Sequence, residues 1–137
     1  GFVTLHSAYL EAKIHQLLLL LVPVEPYPEK DHTWQISRKI KEARKRLKQL
    51  DPENLEDARE NLSICKTVFE WRNELVHSAI YASEYVPDNL VSTRPNIEAR
   101  AVTPEEIYKC ANQLSDLYSA VYRPMVSQIP TLLSAKL

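Results

Sequence analysis

The sequence predicts an all-α domain, a bundle of four to five helices, and three observations point there. The only glycine is the first residue, so the positive-φ turns of β-hairpins and glycine loops have no glycine to build on. Apolar residues recur at three- and four-residue spacing over most of the chain, as in helices with one buried face. Prolines cluster between the periodic stretches, where they end helices instead of interrupting them. The 137 residues, 45 % of them apolar, suit one domain with one core spanning 1–137. No internal repeat divides them.

Composition also excludes whole classes of function. A chain with one glycine cannot write a P-loop or a dinucleotide fingerprint. A formal net charge of −1 gives no bulk attraction for polyanions, so any nucleic-acid contact must be a local patch. Cys65 and Cys110 fall on apolar stripes and read as buried free thiols of a cytoplasmic protein. Two cysteines and four scattered histidines give no zinc spacing; neither a metal nor another cofactor is expected. The longest apolar run, Leu17 to Val22, is too short for a membrane span. No charged leader with a cleavage site is read before it. The expectation is a cytoplasmic protein that does not engage a membrane.

Residues 3–22 read as the first helix, with Leu5, Ala8, Tyr9, Ala12 and Leu19 at helical spacing and His6 and His15 as structural histidines. Residues 23–28, dense in proline, form a linker. A second helix is expected from a cap at Asp31 or Thr33 to about Leu50. Its apolar stripe is Trp34, Ile36, Ile40, Ala43, Leu47 and Leu50. The rest of its surface is basic: Arg38, Lys39, Lys41, Arg44, Lys45, Arg46 and Lys48. This cationic face is either simply solvated or a track for RNA phosphates, with Arg38, Lys41, Arg44, Lys45 and Lys48 as candidate substrate-binding residues.

Asp51 and Pro52 read as a helix stop and restart, opening a long central helix to about Tyr81. Its first half carries Glu53, Glu56, Asp57 and Glu60, suited to a helix N-terminus and able to pair with the basic helix. On an ideal wheel Leu55, Ala58, Cys65, Phe69, Val76 and Ile80 lie within about 60° of Leu62. Ile64, Val68, Trp71 and Leu75 make a second apolar side, the mark of a central, mostly buried helix. Asn73 falls on the first stripe, His77 at its edge, and Arg72 at the other edge, about 140° from His77. Beyond Tyr81 a small loop or β-hairpin insertion with a turn at Pro95-Asn96 is expected, bringing Arg94 and Arg100 within reach of a substrate phosphate. Thr103-Pro104-Glu105-Glu106 reads as a capping box opening a helix to about Tyr122. The stretch from Met125 to Leu137 is expected to pack as a short helix or to fray.

Arg72-Asn73, three residues, then His77 resembles the R-x4-6-H signature of the HEPN superfamily, in which the residue after the arginine is often asparagine. The resemblance covers helix order over residues 3–127 and side chains over 72–77. It implies a HEPN-like helical bundle and a metal-independent endoribonuclease of the toxin or phage-defence kind. It also implies a homodimer whose two motifs face one composite cleft, with an antitoxin protein as a second partner. Some relatives paired with a nucleotidyltransferase carry a tyrosine two residues after the histidine. Here that position is Ala79, so neutralisation by tyrosine modification is not implied.

The residue chemistry fits RNA as substrate. Histidine moves protons near neutral pH, arginine's fork matches phosphate oxygens, and the Asn73 amide can orient either. The catalytic candidates are therefore Arg72, Asn73 and His77. The competing reading pairs Arg72 with an acid such as Glu11 and seals Asn73 and His77 in a buried polar network. The domain is then a catalytically inactive helical module for dimerisation, RNA binding or partner binding.

Overall fold

A computed structural model describes residues 1–81 and 101–136, with side chains described for 1–78 and 101–136. Arg94, Arg100 and the expected hairpin lie outside the described residues. Within them the chain is all helical: α1 Phe2–Leu20, α2 Ile36–Leu50, α3 Glu56–Tyr81, α4 Pro104–Val126 and α5 Gln128–Lys136, with a 3-10 turn Glu29–Thr33 before α2.

α1 buries Val3, Leu10, Ile14, Leu17 and Leu18. Its last turn closes with Leu21 N–H donating to Leu17 O (3.0 Å), and Pro23 ends helical pairing. The linker after it is held down: Tyr27 is buried and its hydroxyl lies 2.9 Å from His15 Nδ1. Burial, then the charges of Lys39 and His32, lower the pKa of His15.

The start of α2 lies later than the sequence suggests. Asp31 is inside the 3-10 turn, its N–H donating to Pro28 O (2.8 Å). The Thr33 hydroxyl donates back to Lys30 O (3.1 Å), so neither residue caps the helix. Extended Gln35 precedes α2 with no side-chain cap, while Trp34 packs on Tyr27 with ring centres 5.6 Å apart.

α3 also starts later than Pro52. The Asp51 carboxylate accepts from the N–H groups of Glu53 and Asn54, both at 3.0 Å, and from Asn54 Nδ2 at 2.9 Å. These bonds, the Asn54 side chain first, lower the Asp51 pKa. They favour a tight turn, and the helix begins only at Glu56. Val68 and Leu75 are buried on the second apolar side as expected, but Ile64 and Val76 are exposed.

α4 opens with the capping box the sequence predicts. Thr103 Oγ1 accepts from Glu106 N–H (3.2 Å), and the Glu106 carboxylate accepts from Thr103 N–H (3.1 Å). The helix then runs past Tyr122 and through Pro124 to Val126. Pro124 supplies no N–H to the turn below it, and the Ser127 hydroxyl donates to Arg123 O (2.7 Å) where the helix ends. The tail is helical in α5. Pro130 sits in its first turn, where a missing N–H costs nothing.

The buried apolar side chains form one continuous cluster from all five helices. Leu17, Ala58, Leu62 and Val121 line one small internal void, while at the other end Arg72 of α3 meets Glu11 of α1. α3 therefore runs antiparallel to α1. α2 and α3 pack together across the short connection between Leu50 and Glu56, so they form an antiparallel hairpin. Cys65 and Cys110 are buried free thiols; burial pushes Cys65 up to about 12, so it is inert at neutral pH. Among the described residues no helix is long and apolar enough to cross a membrane.

Candidate functional site

Arg72 points between α1 and α4. Its Nη2 donates to Glu11 Oε1 at 3.4 Å, with the arginine side chain 23 % exposed. Its guanidinium lies 5.8 Å from the Phe69 ring, and its buried Nε has no hydrogen-bond partner. On the α4 side it is close enough to Cys110 to oppose, in part, the rise that burial imposes on that thiol. The sequence-level pairing of Arg72 with Glu11 is thus present.

Asn73 is half-buried and His77 is 8 % exposed; Ser78, next along, is fully buried with its hydroxyl unpartnered. One turn apart on α3, Asn73 and His77 share a side of the helix about 100–140° away from Arg72 on an ideal wheel. A single protomer therefore does not converge the three groups on one point.

The basic helix divides into two flanks. On one, Arg46 is 2 % exposed, which corrects its expected place on the surface. It donates to Pro26 O (2.8 Å), Glu42 O (3.1 Å) and Glu25 O (3.3 Å) and pairs with the carboxylates of Glu25 (3.1 Å) and Glu42 (3.4 Å). Lys45 joins Glu25 at 3.2 Å. Both cations fasten the proline linker to α2.

The other flank faces α3. Ser37, Arg38, Ile40, Lys41, Glu42 and Arg44, with Ser63 and Lys66 opposite, line a groove of about 850 Å³. A second groove of about 420 Å³ adjoins it at Arg44 and Ser63, and there Glu56 and Glu60 balance Arg44 and Arg59. Arg38 is held in place, its guanidinium 4.4 Å from the Trp34 ring centre. The ion pairs among described residues join Lys45 and Arg46 to Glu25, Arg46 to Glu42, and Arg72 to Glu11. Arg38, Lys41, Arg44, Lys48 and Lys66 take no part in them, so the anticipated pairing of the basic helix with the acids of α3 does not form.

Lys66 and Ser63 are groove residues that the sequence reading passed over. The signal was available: about 40° and 100° from Leu62 on the wheel, they share the side that Asn73 and His77 occupy further along. The polar edge of the groove and the motif are one stripe of α3. Among the described residues no group of three or more His, Cys, Asp or Glu side chains is placed to hold a metal ion. Comparison of the chain with models of known families, with curated proteins and with solved structures finds no match.

Proposed function

We propose that the chain is a HEPN-like, RNA-directed domain that cleaves RNA through the substrate's own 2′-hydroxyl. The observation that carries this reading is the α3 stripe. An electropositive groove lined by Arg38, Lys41, Arg44 and Lys66 leads along one helix side to Asn73 and His77. In the reaction, His77 takes the 2′-hydroxyl proton and the 2′-oxygen attacks the adjacent phosphorus. The bond from phosphorus to the 5′-oxygen breaks, and that oxygen leaves with a proton from water or from the imidazolium of a second copy. The ends are a 2′,3′-cyclic phosphate and a 5′-hydroxyl. Arg72 stabilises the charge that grows on the phosphorane, and Asn73 orients His77 or the phosphate. Because Arg72 and His77 diverge on one helix, the site we propose is composite, built in a homodimer with each group from a different copy. By its resemblance, the domain acts as a toxin or defence component, with an antitoxin protein as possible partner.

A second reading, RNA binding without cleavage, draws on a specific observation: Arg72 is engaged by Glu11 and His77 is nearly enclosed. One assay separates the two. Mixed RNA is incubated in EDTA with wild type, His77→Ala and Arg72→Ala, all matched for folding by circular dichroism. Cleavage should fall about 100-fold or more in each variant. Equal activity in all three indicates a contaminant, and a folded wild type that binds RNA yet leaves it intact selects the second reading.

A further inference from the structure

We infer that the α2–α3 groove is a track for single-stranded RNA, gripping about four successive phosphates through Arg38, Lys41, Arg44 and Lys66. This rests on the RNA reading above and specifies which form of RNA the domain takes and where.

Charge is the first argument. Four cations line the groove, and none takes part in the ion pairs formed among described residues. The acid in the lining, Glu42, is engaged by Arg46. Arg38 rests on Trp34 and Arg44 has Glu56 and Glu60 in the adjoining groove, but within this groove none of the four has an ion-pair partner, and phosphate supplies one. Pre-organisation is the second. Trp34 fixes the plane of the Arg38 fork, which removes part of the ordering cost of a phosphate contact.

Shape selects the single strand. Ser37, Lys41 and Arg44 form one row on α2, stepping about 4.5–6 Å along the axis, and Ser63 and Lys66 form the facing row on α3. The two rows flank an open furrow of about 850 Å³ on the surface where the helices pack. A duplex presents its phosphates on a rigid convex surface that meets such a furrow at few points, whereas an extended strand can follow both rows. The lining is cationic and hydroxyl-bearing, and its apolar member Ile40 is buried beneath. The apolar surface left in the groove is that of the side-chain stems, which offers no pocket for a peptide side chain, while a sugar–phosphate backbone needs none. From Lys66 the same side of α3 reaches His77 after about 16 Å, passing exposed Glu70.

The test measures fluorescence anisotropy of the full chain with a labelled 2′-O-methyl oligouridine, which 2′-hydroxyl chemistry cannot cleave. A matched hairpin duplex is the comparison, and salt is varied. Four phosphate contacts predict a log–log salt slope of about −3 for the single strand. Lys41→Gln, Arg44→Gln and Lys66→Gln should each weaken binding and flatten the slope by about 0.7, while Lys109→Gln, at an exposed position of α4, changes neither. The hairpin should bind at least about tenfold more weakly. An unchanged slope in the triple variant overturns the track, as does equal binding of the hairpin. Displacement of the oligonucleotide by polyglutamate at matched charge overturns it too, by assigning the groove to an acidic protein. RNA cleavage that survives the triple substitution removes the track and leaves the ribonuclease; binding without cleavage does the reverse.

Discussion

Arg46 shows how one side chain can be misjudged by its neighbours in sequence. It belongs to a run of seven cations, yet its side chain is the largest fully buried one among the described residues. With Ile36 at zero on the wheel, Ser37, Lys41, Arg44 and Lys48 fall at about 80–140°, whereas Arg46 falls near −80° beside Glu42. The two flanks could be told apart from sequence. That the second one meets the linker, whose carbonyls of Glu25 and Pro26 need a donor, could not, because the linker's path is set by tertiary packing. Arg46→Met keeps the apolar stem and deletes the fork, leaving those oxygens unpaired. It should cost about 3 kcal/mol in a urea melt, against less than about 1 kcal/mol for Lys41→Met on the groove flank. A smaller loss at position 46 would mean the linker re-solvates without penalty.

At the level of elements, the start of α4 was written in local chemistry and the starts of α2 and α3 were not. Thr103 and Glu106 satisfy each other within four residues, so no other part of the molecule is needed to set that helix end. Thr103→Ala should cost about 1 kcal/mol and fray the first turn, visible as faster amide exchange over residues 104–107; unchanged exchange there would show that packing alone holds it. Before α2 and α3 the same capping residues serve other turns. Asp31 and Thr33 close a 3-10 turn, and Asp51 folds back on Asn54. Propensity marks such residues as turn formers without saying which turn wins. The run-on through Pro124 has a related cause, since tertiary burial of Val121 and Ile129 outweighs the lost hydrogen bond.

For the whole molecule, helix order and the position of the long central helix were legible, because periodicity reports burial directly. The Glu11–Arg72 pair was legible as chemistry, an acid needed for a half-buried arginine. The groove was only half legible: its cations stood out on α2, but Ser63 and Lys66 acquire meaning once α3 lies antiparallel beside it. The proposed composite site makes a prediction at this scale. Arg72→Ala and His77→Ala protein, each inactive, should recover about a quarter of wild-type cleavage when unfolded together, refolded and mixed one to one. In an isologous dimer half of the pairs are then mixed, each with one complete site. No recovery, with exchange of subunits verified by mass, would place both groups in one protomer's chemistry or in none.

α1 packs against α4 more extensively than against any other helix, and this pairing has a consequence in time. On a ribosome adding about 5–20 residues per second, α1 is finished several seconds before the chain reaches the end of α4. Through that interval the run from Leu17 to Leu21 has no α4 to lie against. The α2–α3 hairpin is complete earlier, and the Arg46 clamp on the linker draws the end of α1 onto it. The nascent chain can thus shelter its longest apolar run before its permanent partner exists.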